Sequence, residues 1–302
     1  MEIFEKAHIL ISALPYFKKF YKKIMVIKYG GNAMVEETLK NAFAQDITLM
    51  KYVGIRPIIV HGGGPQISEV MSKMGLKPRF VEGQRVTDEE TMSVVEMVLV
   101  GTVNKSIVSL INEAGGKAVG LSGRDGKLLE VEKMAIYKYT GEDRPPEIID
   151  IGRVGKPKKV NPEVLYTLIE KDFIPVIAPV GVGPGGEAYN VNADLVAGAI
   201  ASALSAEKLI YLSDVEGVKD EDGELISTLR FDEIEKLLEK GIATGGMIPK
   251  LKSARKALEA GVKKVHIIDG RIKHSLLIEL FTDEGLGTQI IKEEDSLGRD
   301  AG

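Results

Sequence analysis

The sequence predicts an α/β protein, a three-layer αβα sandwich with a mostly parallel central sheet, and three observations carry that expectation. Short apolar runs such as Ile24-Met25-Val26-Ile27 and Pro57-Ile58-Ile59-Val60 alternate with longer helical patterns, and that alternation is what a sheet covered by helices on both faces requires. The run Ile174-Pro175-Val176-Ile177-Ala178-Pro179-Val180 is apolar throughout, as strands are when neither face meets water. Glycine-rich turns follow the first two runs, at the strand ends where open α/β sheets bind their ligands.

In chain order, residues 1–23 read as an amphipathic helix bent or broken at Pro15. Ile24–Lys28 is a strand, Glu36–Tyr52 a helix opened by acidic residues, Arg56–Val60 a strand and Gln66–Met74 a short helix. Arg79–Val86 alternates enough for a hairpin. Asp88 is placed to cap a long helix reaching about Glu113, with Glu90 in the first turn where the dipole favours it. Lys117–Leu121 is a strand. The stretch from Leu128 to Val160 is rich in β-branched residues, turns and charge, and reads as small antiparallel ribbons on one edge, with a loop at Glu142–Pro146. Asn161-Pro162 starts a helix, Ile174–Val180 is a buried strand, and Ala193–Leu204 is an alanine-rich helix able to pack closely. Lys208–Leu212 and Val262–Ile268 are strands, Ser213–Val218 is a turn-rich loop, and Phe231–Lys240, Ile248–Ala260 and Lys273–Leu280 are helices. A soft boundary near residue 180 divides the chain into an N-terminal helix (1–23), a first lobe (24–180) and a second lobe (181–302).

With 302 residues, 44% of them hydrophobic, the chain can bury a sizeable core in one large or two medium domains. Its formal net charge of −4 argues against nucleic-acid binding, which needs a concentrated basic surface, but suits a small anionic substrate. Cysteine is absent, which excludes disulfides, thiol nucleophiles and Cys-ligated zinc. His8, His61, His266 and His274 are too scattered for a His-Glu-x-x-His metal site. No uninterrupted apolar run reaches the roughly 18 residues of a membrane span. Glu2 and Glu5 stand where a signal peptide is positive, so a soluble cytoplasmic protein is expected.

Three glycine-rich segments read together as a phosphate cradle: Lys28-Tyr29-Gly30-Gly31-Asn32, His61-Gly62-Gly63-Gly64-Pro65 and Gly245-Gly246-Met247-Ile248-Pro249-Lys250. Glycine lets the backbone approach a ligand, and consecutive N–H groups in one concavity bind anions. Lys28 and Lys250 taken singly are ordinary solvated lysines; their glycine contexts set them apart. Asn190-Val191-Asn192-Ala193-Asp194 places three polar groups at alternate positions before a helix. One of them serves as an N-cap, and the three together would face a strand-end crevice. Arg85 is either a surface hairpin charge or a planar fork for a substrate carboxylate. Gly181-Val182-Gly183-Pro184-Gly185-Gly186 matches a dinucleotide fingerprint, but Pro184 and the polar residues that follow delay the helix to about Ala193, which favours a glycine-rich hairpin.

In their order and spacing, Lys28–Met34, His61–Pro65, Asn190–Asp194 and Gly245–Lys250 resemble the amino acid kinase family, over about residues 24–289. The resemblance implies the amino acid kinase fold, with an acylamino-acid-binding first lobe and an ATP-binding second lobe sharing one sheet. Within the family it is closest to members whose substrate is N-acetyl-L-glutamate, whose γ-carboxylate attacks the γ-phosphorus of ATP during arginine synthesis. Mg²⁺ would be held mainly through the nucleotide phosphates, with no metal-ligand cluster of its own. By that resemblance Lys28 neutralises the transferring phosphoryl group, Lys250 the ADP side, and Asp194 orients both lysines. Gly63, Gly64, Arg85 and Asn190 would hold the substrate, and Gly30, Gly31, Ser213, Asp214, Gly217, Lys219, Gly245 and Gly246 the nucleotide. Pro249, directly before Lys250, departs from the usual pattern and removes one backbone donor.

Two alternatives stay open. A kinase of an N-acylated 2-aminoadipate differs by one methylene, worth only ~1–3 kcal/mol in a pocket. A catalytically silent arginine-binding sensor is the other, although Lys28, Lys250 and Asp194 are all present. The resemblance further implies inhibition by arginine. Residues 1–23 match the extra helix that links dimers into a homo-hexamer, a trimer of dimers, with Phe17, Phe20 and Tyr21 on a face able to interlock with its copy. The implied arginine site comprises Tyr21, Lys208, His266, Glu279, Gly285 and Gly287, with Glu279 pairing the guanidinium.

Overall fold

The computed structural model describes residues 3–138 and 147–292, so the expected loop at Glu142–Pro146 lies outside the described residues. Helix α1 (Ile3–Phe20) continues through Pro15 without a break. The carbonyl deprived of its partner belongs to Ile11, which is exposed and leaves that oxygen near water. Strand β1 (Ile24–Tyr29), α2 (Glu37–Tyr52), β2 (Arg56–His61) and α3 (Gly64–Lys73) follow as expected. A hairpin of β3 (Phe80–Val81) and β4 (Gln84–Arg85) precedes Asp88, whose carboxylate accepts the Thr91 N–H at 2.9 Å and starts the long helix.

That helix is α4 (Glu89–Glu96), a π-helical turn at Met97–Val103, and α5 (Asn104–Glu113). By length and composition this helix, Glu89–Glu113, contains a stretch apolar enough to cross a membrane, although Glu96 and Lys105 interrupt its apolar runs. Here it is a core helix: Val95, Val98, Leu99, Ile107 and Ile111 are buried among residues of α2, β1 and β8.

The remaining elements are β5 (Ala118–Ser122), β6 (Leu129–Lys138), β7 (Glu147–Val160), α6 (Glu163–Glu170), β8 (Ile174–Ala178), β9 (Val180–Val182), β10 (Ala188–Val191), α7 (Ala193–Ala203), β11 (Lys208–Ser213), β12 (Thr228–Arg230), α8 (Glu233–Glu239), α9 (Met247–Glu259), β13 (Lys264–Asp269), α10 (Ser275–Phe281) and β14 (Thr288–Ile291). One eight-stranded sheet, ordered β12-β14-β13-β11-β1-β2-β8-β5, forms the middle layer and is parallel except where β14 meets β13. The expected ribbons at 128–160 are not edge strands of it. β6 and β7 close with β9 and β10 into a separate small barrel, and the expected strand 174–180 divides at Pro179, β8 serving the sheet and β9 the barrel. β12 and β14 were not anticipated; strands of three and four residues are too short for a periodic signal.

The sheet alternation distributes side chains to two cores. Met25, Ile27 and Tyr29 of β1 join one with α2, α3, α4 and α5, while Val26 joins the other with α7 and α9. α7 and α9 touch closely because Gly198 lacks a side chain: a Cβ there would overlap Ser253 Oγ. Gly198→Ala is therefore expected to lower stability by about 1–3 kcal/mol through overpacking, measured by urea unfolding; an unchanged midpoint would mean that the two helices separate freely.

Candidate functional site

Parallel pairing brings the carboxyl ends of β1, β2, β8, β11 and β13 to one edge of the sheet. From β1 the chain continues to β2 on one side, and β11 is added later on the other, so the turns after β1 and β11 diverge around a crevice. Lys28, two residues beyond Val26, shares its face and so points toward α7. At the start of α7, Asn192 accepts the Asp194 N–H at 2.8 Å, which turns the Asp194 carboxylate to the same place. Lys250, in the first turn of α9, completes the group. Lys28 Nζ lies 3.2 Å from Asp194 Oδ1 and Lys250 Nζ 3.0 Å from Oδ2. Lys250 also donates to Gly246 O at 3.2 Å, and Ser253 donates to Asp194 O at 2.9 Å, tying α9 to α7.

Asp194 is only 5% exposed. Burial pushes its carboxyl up, yet the Lys28 and Lys250 ammoniums outweigh that and hold it below the usual range. Two cations on one carboxylate leave a surplus positive charge. Pro249 costs little in this setting: it stands in the first turn of α9, where its missing N–H has no intrahelical partner to lose.

The glycine turns pack around this cluster. A Cβ on Gly30 would lie 2.7 Å from Lys28 Nζ. Gly31 has φ +71°, and a Cβ there would overlap the Asp214 carboxylate, which accepts the Asn32 N–H at 2.6 Å. Asp214 thus joins the turn after β11 to the turn after β1. The Gly62 N–H bonds Tyr29 O at 2.8 Å, joining the turn after β2 to them, and Ser213 O accepts the Gly270 N–H at 2.8 Å. Gly245, with φ +51°, and Gly246 precede α9. Gly217 and Lys219 stand apart from the lysine pair: Gly217 packs on Thr288, and Lys219 makes a surface ion pair with Glu216 at 3.4 Å.

Arg85 is buried, stacked 4.7 Å over Phe80, and its Nη2 donates to Gly64 O at 3.0 Å and Ser68 Oγ at 2.8 Å. Asn190 Nδ2 donates to Thr87 Oγ1 at 3.2 Å, and that hydroxyl donates to Arg85 O at 2.8 Å. Gly64, Arg85 and Asn190 therefore form one connected patch, with open space above Gly64. Thr87 was missed by sequence reasoning, as nothing marks a hairpin-end threonine in a sequence. Equally hidden were Asn104, whose amide donates to the His61 ring, and the bond of His274 to buried Asp46 at 2.6 Å across α10 and α2.

A second polar cluster lies at the other end of β11 and β13. Lys208 Nζ is 3.0 Å from His266 Nε2, His266 Nδ1 is 2.5 Å from Glu279 Oε1, and Glu279 Oε2 accepts the Leu286 N–H at 2.9 Å. Burial lowers Lys208 to about 8. Phe20 covers it, the Lys208 ammonium lying 5.2 Å from the ring centroid. Gly285 borders Glu279, whereas Gly287 packs against the Ile267 and Glu216 carbonyls, and Tyr21 lies against Gly54, 57% exposed. Phe17 and Phe20 are not on a free face: Phe17 packs edge-on against Phe281 at 5.1 Å, while Tyr16 bonds Asp283. Among the described side chains of α1, the exposed large apolar residues are Ile9, Leu10, Ile11 and Leu14.

Comparison with known proteins gives a consistent picture. A model of the amino acid kinase family matches residues 23–269. An acetylglutamate kinase from Aquifex aeolicus (strain VF5) is 60% identical over 296 residues, 97% of this chain and 99% of its own. One from Syntrophus aciditrophicus (strain SB) is 57% identical over 287 residues, 95% of this chain and 97% of its own. Among solved structures, N-acetylglutamate synthase from Neisseria gonorrhoeae with coenzyme A and N-acetyl-glutamate superposes with a TM-score of 0.81 at 29% identity, covering 95% of this chain. The chain spans 63% of that synthase's length. A complex of the same synthase with coenzyme A and L-arginine gives 0.78 at 27%, covering 95% of this chain and 65% of its own.

His61 and His266 are both buried neutral, their pKa pushed from 6.5 down to about 4, chiefly by burial. Between those values the unfolded chain takes up protons that the folded chain refuses, so their stabilising contribution is whole above pH 6.5 and is lost as pH falls toward 4. Each is worth up to roughly 3 kcal/mol. The urea midpoint should fall over that window, less steeply in His61→Asn; an unchanged slope in that variant would refute the neutral assignment.

Proposed function

The chain belongs to the amino acid kinase family and is a phosphotransferase with a carboxyl acceptor, and on that premise we propose that it phosphorylates the γ-carboxylate of N-acetyl-L-glutamate with ATP, giving N-acetyl-L-glutamyl 5-phosphate and ADP for arginine synthesis in the cytoplasm. The observation that carries this reading is the Lys28–Asp194–Lys250 cluster set among glycine turns. A carboxylate oxygen attacks the γ-phosphorus in line as the bond to the ADP oxygen breaks. No base is required, since the acceptor is already ionised near neutral pH. Catalysis then consists of positioning and of offsetting charge on the moving phosphoryl group. Lys28 would meet that group and Lys250 the ADP side, while Asp194 keeps both ammoniums in place.

The residues fit a magnesium nucleotide. The surplus positive charge and the glycine turns suit phosphate oxygens, and among the described residues no group of three or more histidines and carboxylates is placed to hold a metal alone. Mg²⁺ would arrive with the phosphates and shield their charge. Residues 181–302 would supply the nucleotide side and residues 24–180 the acceptor side, with Gly63, Gly64, Arg85 and Asn190 holding N-acetyl-L-glutamate.

Arginine inhibition is the finer part of the proposal. It is supported by the Lys208–His266–Glu279 cluster beneath Phe20 and by the arginine complex of the Neisseria synthase. Residues 1–23, through the exposed Ile9–Leu14 stretch, would join dimers into a hexamer.

In an ATP-consumption assay across N-acetylglutamate, N-acetylaminoadipate, aspartate and UMP, the first should be favoured. Lys28→Ala, Lys250→Ala and Asp194→Asn should each lower kcat by roughly 100-fold or more with smaller changes in KM; near-normal turnover in all three folded variants would remove the assignment. For regulation, deletion of residues 1–23 should yield active dimers with weakened arginine inhibition, and Glu279→Ala should weaken inhibition without dissociating the hexamer. Light scattering and inhibition curves decide it: hexamers after truncation, or full inhibition in the Glu279 variant, would overturn the corresponding half.

A further inference from the structure

The glycine turn after β2 is held from below by a buried pair outside the phosphotransfer cluster. His61 and Asn104 are both fully buried. The π-helical turn Met97–Val103 ends immediately before Asn104 and sets Leu99 against Gly63, where a Cβ would lie 2.5 Å from Leu99 Cδ2. The extra residue of such a turn shifts the helix face, and Asn104 enters under β2, β5 and β8. β5 makes room for it with Gly120, whose Cβ would overlap Asn104 Oδ1.

The Asn104 amide has one workable orientation. Nδ2 donates to Val176 O at 2.9 Å and faces His61 Nε2 at 3.2 Å, while Oδ1 accepts from Lys105 Nζ at 3.2 Å. An imidazole nitrogen that faces an amide N–H must accept, so the proton of neutral His61 sits on Nδ1 and is donated to Gly62 O at 2.7 Å. In a trans peptide the C=O and the following N–H point in opposite directions. Holding Gly62 O toward the ring therefore turns the Gly63 N–H away from it.

We propose that His61 and Asn104 are positioning residues for phosphoryl transfer: Asn104 selects the Nδ1–H tautomer of His61, and that proton, bonded to Gly62 O, aims the Gly63 N–H at the transferring group. The proposal rests on the phosphotransferase reading of the cradle. It also accounts for why the ring is sealed from water, since an imidazolium would present N–H to Asn104 Nδ2 and break the arrangement.

Nitrogen-15 NMR of the folded wild-type chain should show His61 protonated at Nδ1 and bare at Nε2; an Nε2–H tautomer overturns the proposal without any variant. Kinetics supply the second readout. His61→Asn places an amide nitrogen where Nδ1 stands and keeps the donor to Gly62 O, whereas His61→Gln is nearer in size and reaches Asn104 but has no donor there. With loss of an aimed donor worth about 10²–10³ in kcat, His61→Gln should lose about 100-fold in kcat with KM for ATP within about threefold, and His61→Asn should stay within about tenfold of wild type. Equal losses in the two folded variants, or a change confined to KM, would mean that His61 only fills space. If the wild-type chain transfers phosphate to no carboxylate acceptor, the phosphotransferase reading fails and takes the aiming role with it; an active wild type with the wrong tautomer refutes the aiming role alone.

Discussion

A carboxylate sealed between two ammonium groups is the constraint around which this molecule is arranged. Removing Asp194 from water costs several kcal/mol unless it is paired, and the pairing demands that three chain segments meet: the end of β1, the start of α7 and the start of α9. The Asn192 cap orients one of them, and the absence of a side chain at Gly198 lets another approach. Because one negative charge faces two positive ones, the cluster cannot neutralise itself. An incoming anion would complete it, so the force that stabilises the fold at this point would also favour an anionic ligand.

The turns around the cluster share that economy. Each strand-end turn is tied to the next by a backbone or carboxylate contact, through Asp214 to Asn32 and Gly62 to Tyr29. Preorganisation of this kind matters more for phosphoryl transfer than a proton acceptor does, since the chemistry consists of moving charge between oxygens already ionised.

Much of this was legible in the sequence because buried parallel strands, helix caps and glycine turns are local features. β1, β2, β8 and β11 announce themselves as apolar runs, and Lys28, Asp194 and Lys250 stand next to glycine-rich or helix-capping segments. What stayed hidden depends on contacts distant in the chain. Thr87 matters only because Asn190 and Arg85 converge on it. Asn104 is one polar residue in an apolar helix until His61 is seen beneath it. The barrel of β6, β7, β9 and β10 closes between segments whose alternation reveals strands but not partners. The free face of α1 was misplaced for the same reason, since the docking of Phe17 and Phe20 depends on Phe281 and Lys208, far along the chain.

The continuity of the sheet has a mechanical consequence. β1 is hydrogen-bonded along both flanks, registered residue by residue with β2 on one side and β11 on the other. No peptide along that path is free to act as a hinge, since a large dihedral change there would break ladder bonds on two sides at once. Relative motion of the turns that would receive the two substrates must therefore be distributed as torsion over several strands, each rotating slightly on its neighbour. A sheet tied in this way would act as a stiff spring, and any closing of the crevice would store elastic energy that favours reopening.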